Sequence, residues 1–260
     1  MTPIRLSLPL LSLLSACSED GGLNFFSIED DIELGQQVKD EIAADPATYP
    51  ILDEALYPDA YDHLYEMRDD VLASDDILYG EEFAWEIFII EDDETLNAFA
   101  APGGYIWVYT GILKYLLEED HFVGVLGHEI AHADRRHSTQ QLTKIYGIST
   151  LISVALGEDP GLAAEIAAGL VSLSFSREHE SEADEYSVLY LCDTLYASNG
   201  AAGFFEQIVA EGGVDIPEFI STHPSSESRV EDINALAEEL GCSTELNPDA
   251  DWAAYIDTLP

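Results

Sequence analysis

The chain has 260 residues, with 52 acidic and nine basic side chains, a formal net charge of −43 and 47% hydrophobic content. That length and apolar content can bury one sizeable core, as a single domain with subsidiary helices. The charge excludes a surface that binds nucleic acid or anionic lipid by releasing counterions. With lysine present only at 39, 114 and 144, it suits an acidic, halophilic surface whose self-repulsion is relieved by a short screening length.

Residues 1–16 read as a targeting segment. Arg5 supplies a positive charge, Leu6 to Leu14 form a short apolar region, and Leu14-Ser15-Ala16-Cys17 is similar to a bacterial lipobox. Cys17 is then the acylated N-terminus of a linker over 17–27, its acyl chains anchoring the protein at about 0.8 kcal/mol per buried methylene. Ser18 after it resembles outer-membrane sorting and points to the periplasmic face of the outer membrane. An ordinary secretory signal ending near Ala16 is the alternative. No later segment reaches the roughly 18 apolar residues of a membrane span, so membrane contact is expected through the lipid anchor only.

Phe83 to Ile90 is aromatic and β-branched and reads as a strand, and a second strand is expected over Tyr105 to Tyr109, after the turn Pro102-Gly103-Gly104. Next comes Gly127-His128-Glu129-Ile130-Ala131-His132, an H-E-x-x-H pattern. Phe122, Leu126 and Ile130 form one apolar stripe at helical spacing, and Glu118, Glu119 and Asp120 suit the positive N-terminal end of that helix. Neither Pro nor Gly interrupts the stretch from His128 to Lys144. On a helix His128 and His132 lie about 6 Å apart on one face, within reach of one metal. Glu129, about 100° round the axis, is a poor third ligand but a suitable general base toward an attacking water. Catalytic zinc takes three protein ligands and keeps one position open, so a third ligand must lie elsewhere.

The apolar runs Ile145 to Leu156 and Leu162 to Phe175, split by Gly157-Glu158-Asp159-Pro160-Gly161, read as a buried or interfacial helical hairpin. After it, Ser176-Arg177-Glu178-His179-Glu180-Ser181-Glu182-Ala183-Asp184 offers several ligands. Glu180 and Asp184 share a helix face, so one can bind metal while the other supports a ligand histidine; on chemistry alone Glu178, His179 and Glu182 stay open. His63, His121, His137 and His179 are expected as structural or surface residues. Cys192 and Cys242 form a disulfide or remain two buried thiols. A short helix from about Ser226 to Leu240 stops at Gly241, and residues 246–260 read as an acidic tail outside a domain spanning 28–245.

The motif H-E-I-A-H, then S-R-E-x-E-x-E-A-D about forty residues on, then Ser221-Thr222-His223-Pro224 with Arg229, resembles the HtpX, CAAX prenyl protease and BepA family of gluzincin metallopeptidases. Asn97-Ala98-Phe99-Ala100-Ala101-Pro102-Gly103-Gly104 with Thr110-Gly111, and Glu33 to Val38, are similar to that family's upstream segments, so the resemblance spans about 28 to 240. It implies an α+β, mainly α, zincin fold with a small β-sheet beside the metal helix. It assigns one Zn2+ to His128, His132 and Glu180, general base and acid to Glu129, and support of the ligands to Asp184. It also implies that Asn97, Ala98, Phe99, Gly103 and Gly104 hold an extended substrate by strand addition. His223 either steadies the oxyanion or blocks the metal as a fourth ligand.

Two functions follow from these expectations. The first is a zinc endopeptidase acting on misfolded or stalled envelope proteins. The alternative is a periplasmic binding or assembly factor for outer-membrane components, partnered with their assembly machinery, whose zinc site is plugged by His223. Nothing after Pro224 resembles the tetratricopeptide array that BepA-like relatives append.

Overall fold

A computed structural model describes residues 24–147, 150–151, 165–166, 169–210, 222–223, 228–248 and 250–260. The targeting segment and Cys17 lie outside the described residues, as does most of the expected hairpin between 145 and 175. No described helix is long and apolar enough to cross a membrane.

The described chain is mainly helical, with one small sheet. Helix α1 (Ile28–Ala44) opens with a capping box, in which the Ser27 hydroxyl accepts from the Asp30 N–H and the Asp30 carboxylate from the Ser27 N–H. Asn24, read as linker, is already buried, its side-chain amide donating to the Thr139 hydroxyl at 3.0 Å. After α2 (Pro58–Leu72) come β1 (Glu86–Ile90), β2 (Ala98–Ala101) and β3 (Tyr105–Tyr109). Strand β3 is central, parallel to β1 and antiparallel to β2. The first strand starts later than expected from Phe83, because Trp85 sits at φ 49° and its carbonyl accepts from Arg68 at 2.7 Å. A left-handed residue breaks the pleat.

Strand alternation divides the core into two. Ile87, Ile89, Ala98, Ala100, Ile106 and Val108 face a cluster built with α2 and α4. Phe99, Tyr105, Trp107 and Tyr109 face the other way, against Leu34, Val38 and Ile42 of α1. The alanines of β2 on the first face let α4 lie close to the sheet, which brings the metal motif against an edge strand.

Short α3 (Thr110–Tyr115) leads into α4 (Glu119–Asp134), which carries the motif and is buried along almost its whole length. A Cβ on Gly124 would lie 2.0 Å from the Ala201 backbone nitrogen, so only glycine admits this approach to the later helix at 200–210. The uninterrupted run from His128 to Lys144 is not one helix. Arg136 takes a left-handed conformation (φ 61°), ending α4 and starting α5 (His137–Tyr146). The cause is tertiary: the Arg136 side chain donates to Asp31 and to the Phe26 carbonyl, both at 2.6 Å, offsetting a backbone cost of about 1–2 kcal/mol.

Helix α6 (Arg177–Leu191) is capped by the Ser176 hydroxyl. It is followed by α7 (Gly200–Ala210), α8 (Arg229–Leu240) and α9 (Trp252–Ile256). Helix α8 ends at Gly241 with φ 73°, as the sequence suggests. The expected acidic tail is corrected. Trp252 is buried, stacks on Phe122 at 5.6 Å and donates to the Leu116 carbonyl at 2.8 Å, so apolar burial draws the C-terminal segment into the core. Cys192 and Cys242 are disulfide-bonded across 50 residues, joining the end of α6 to the end of α8. Removing the bond by a Cys192→Ala, Cys242→Ala double substitution is expected to lower stability by about 2–4 kcal/mol, read as a shift in the urea midpoint.

Candidate metal centre

Helix periodicity sets the first pair. The Nε2 atoms of His128 and His132 lie 3.0 Å apart on α4. From α6, Glu180 places Oε2 3.5 Å from His128 Nε2 and Oε1 3.5 Å from His132 Nε2. His223 brings Nδ1 to 3.2 Å from Glu180 Oε1 and 3.3 Å from His128 Nε2. These four buried residues each offer one ligand atom, all within 4.8 Å of one another. Ligand bonds of about 2.0–2.2 Å in a tetrahedron put neighbouring donors roughly 3.3 Å apart, so the spacing fits zinc. Nitrogen and carboxylate donors converging in a buried pocket also fit it, since such atoms need a cation or proton to offset their repulsion.

The supporting residues surround that cluster. His128 Nδ1 is 2.9 Å from Asp184 Oδ1. Arg229 of α8 grips Asp184 with two bonds, at 2.7 and 2.6 Å, and donates to Glu180 Oε2 at 2.9 Å, its guanidinium lying 4.4 Å over the Phe205 ring. Burial opposes ionisation of Asp184, but His128 and Arg229 outweigh it and hold the carboxyl below its usual range. For Glu180 burial is likewise outweighed, by His223 and His128, and the carboxyl is held well down. Burial also works against charge on His128, yet Asp184 and Glu180 push its imidazole up to about 9, the mark of a pocket whose field attracts a cation. Burial depresses His132 and His137, keeping both neutral as metal coordination requires of a ligand histidine.

Glu129 is 1% exposed; its carboxylate has no side-chain hydrogen-bond partner among the described residues and lies against the Ala100 backbone N–H. Its nearest cation-forming neighbour is His223, with Nε2 at 3.3 Å from Oε1. Burial raises its pKa, only partly offset by His223 and His128. A carboxylate poised in this way accepts a proton readily.

Of the open third-ligand candidates, Glu182 faces His137 Nε2 at 3.4 Å instead, and His179 stacks on the His137 ring at 4.6 Å. Glu178 is exposed. The expected substrate strand needs correction in detail. Tyr109 N–H donates to the Asn97 carbonyl, so by alternation Asn97, Phe99 and Ala101 bond to β3 while Ala98 and Ala100 turn their backbone groups away from it. Phe99 points its ring to the far face, stacked on Trp107 at 5.1 Å. Gly103 and Gly104 sit at φ 78° and 81° in the β2–β3 turn. There a Cβ would meet Ile32 or Trp85, so close packing by itself accounts for glycine at both positions. Sequence reasoning missed Ala100, the clamp role of Arg229 and the place of His137 beside His132. The first follows from strand register, and the other two depend on contacts distant in sequence or on a helix break.

Residues 66–237, well over half of the chain, match Peptidase family M48. The chain belongs to that family. The earlier resemblance to the HtpX, CAAX protease and BepA kind is thereby borne out, and M48 membership brings the zinc chemistry for which the cluster is suited. Relatives include the mitochondrial metalloendopeptidase OMA1 of Arabidopsis thaliana, 33% identical over 57% of this chain and 31% of that protein. OMA1 of Schizosaccharomyces pombe is 34% identical over 58% of this chain and 46% of its own length. The metalloprotease YcaL of Escherichia coli is 28% identical over 59% of this chain and 62% of its own. The matches thus span less than two thirds of these M48 relatives.

Proposed function

We propose that this M48 chain is a zinc endopeptidase, with His128, His132 and Glu180 holding the metal. The observation that carries the reading is the buried Glu129 carboxylate, without a side-chain hydrogen-bond partner among the described residues, beside three converging ligands. Such an arrangement has no structural purpose and suits proton transfer. Zinc, when bound, supplies a Lewis acid and makes water nucleophilic at neutral pH. Glu129 takes the proton of the attacking water and returns it to the departing amine nitrogen. Asp184, held by Arg229, keeps His128 oriented. The β2 edge turned away from β3, at Ala98 and the Ala100 carbonyl, supports pairing with an extended substrate read by backbone rather than by one residue type, the Ala100 N–H lying against Glu129.

The substrate class is unfolded or stalled polypeptide of the cell envelope. The lipobox-like Leu14-Ser15-Ala16-Cys17 supports a lipid-anchored location at the outer membrane. A second reading, a closed site serving a binding or assembly role, is favoured by the imidazole of His223, which stands where a fourth ligand would. Catalysis needs that position open. In this account His223 is a gate, and His223→Ala is expected to speed casein hydrolysis on the order of tenfold by raising the competent fraction. A slower enzyme that still holds zinc would instead make His223 part of the catalytic machinery. No hydrolysis by either protein would favour the binding role.

A further inference from the structure

In a continuous helix His137 would lie about 140° round the axis from His132 and could not touch it. The left-handed Arg136, fastened to Asp31 and the Phe26 carbonyl, folds α5 back so that His137 Nδ1 lies 2.9 Å from His132 Nδ1. His137 is fully buried, its ring parallel to His179 and its Nε2 facing Glu182 Oε2 at 3.4 Å. We propose that His137 is a positioning residue for the metal centre: it accepts the Nδ1–H of His132 and so fixes the tautomer in which His132 presents Nε2 to the metal. The proposal rests on reading His132 as a ligand.

Two neutral imidazoles sharing a hydrogen bond through their Nδ1 atoms have two arrangements. When His132 donates, its Nε2 lone pair points into the cluster, and His137 carries its own hydrogen on Nε2, the side facing Glu182. When His137 donates, the hydrogen of His132 moves to Nε2, where it closes the cluster to a cation, and the His137 Nε2 lone pair faces the Glu182 carboxylate. Glu182 therefore selects the first arrangement. The two ligand histidines are supported differently, His128 directly by Asp184 and His132 through a second imidazole. The support of a ligand histidine by its second nitrogen typically governs metal affinity by about 10–100-fold.

The test is zinc affinity of the full chain by chelator competition. His137→Phe keeps a ring beside His179 but has no acceptor; His137→Asn places an amide oxygen near the former Nδ1. Glu182→Ala removes the selecting carboxylate without disturbing the buried ring. The Phe variant is expected to bind zinc about 10–100-fold more weakly with an unchanged metal-free melting temperature. The Asn variant should recover most of that loss, and Glu182→Ala should show a smaller, severalfold weakening. Wild-type affinity in the Phe protein, or an Asn variant as weak as Phe, overturns the role of His137; wild-type affinity in Glu182→Ala overturns the selection by Glu182. A wild-type chain that takes up no zinc overturns the reading of the centre and this proposal with it.

Discussion

Glu129→Gln is expected to lower the rate of peptide hydrolysis by about 10²–10⁴-fold, the range that general acid–base catalysis contributes. The amide is nearly isosteric and uncharged, and it cannot take a proton from water. Glu129 is outside the four-residue ligand cluster and already buried. The substitution should therefore leave zinc content unchanged and stability equal or slightly higher, because a buried ionisable group is replaced by a neutral one that keeps an oxygen for the Ala100 N–H. Loss of rate together with loss of zinc would instead show a structural lesion. Parallel metal analysis and casein digestion separate the two.

Arg229→Met should be the most destabilising single change at the centre. Arg229 is 4% exposed and is bonded to both Asp184 and Glu180. Its removal leaves two buried carboxylates with the His128 imidazolium alone to balance them, and breaking a buried pair in this way costs about 3–5 kcal/mol. The loss should appear as a lower urea midpoint in the metal-free protein and shrink when zinc is added, since the metal offsets part of the same charge. Arg229→Lys should fall between, because a lysine cannot make the forked contact to Asp184 while reaching Glu180. A cost below about 1 kcal/mol for Arg229→Met, in the surface-pair range, would show that the carboxylates do not depend on it.

These effects locate what the sequence could and could not reveal. The pair His128 and His132, with Glu129 beside them, was legible because helix spacing is local and the apolar stripe through Phe122, Leu126 and Ile130 declared the helix. The third ligand was not fixed by chemistry: Glu178, Glu180 and Glu182 are equivalent in type, and family resemblance chose between them. In the fold, Ser176 caps α6 so that Glu180 and Asp184 face inward while Glu178 is exposed. The mainly helical architecture with a small sheet was likewise readable.

Other features were not readable because their causes are distant in the chain. The break at Arg136 occurs without glycine or proline, driven by Asp31 more than one hundred residues earlier. Trp252 looked like part of a tail because its partners, Phe122 and the Leu116 carbonyl, are far away in sequence. Strand β2 was not read as a strand, because Ala98 to Ala101 lacks β-branched content, and which of its residues point outward depends on register with β3, so Ala100 rather than Phe99 presents its backbone away from the sheet.

If a zinc ion held by His128, His132 and Glu180 makes this chain a peptidase, casein digestion by the purified protein must follow the metal. Hydrolysis is expected to vanish on chelation and to return with about one zinc per chain. Undiminished hydrolysis by the metal-free protein would refute the zinc mechanism.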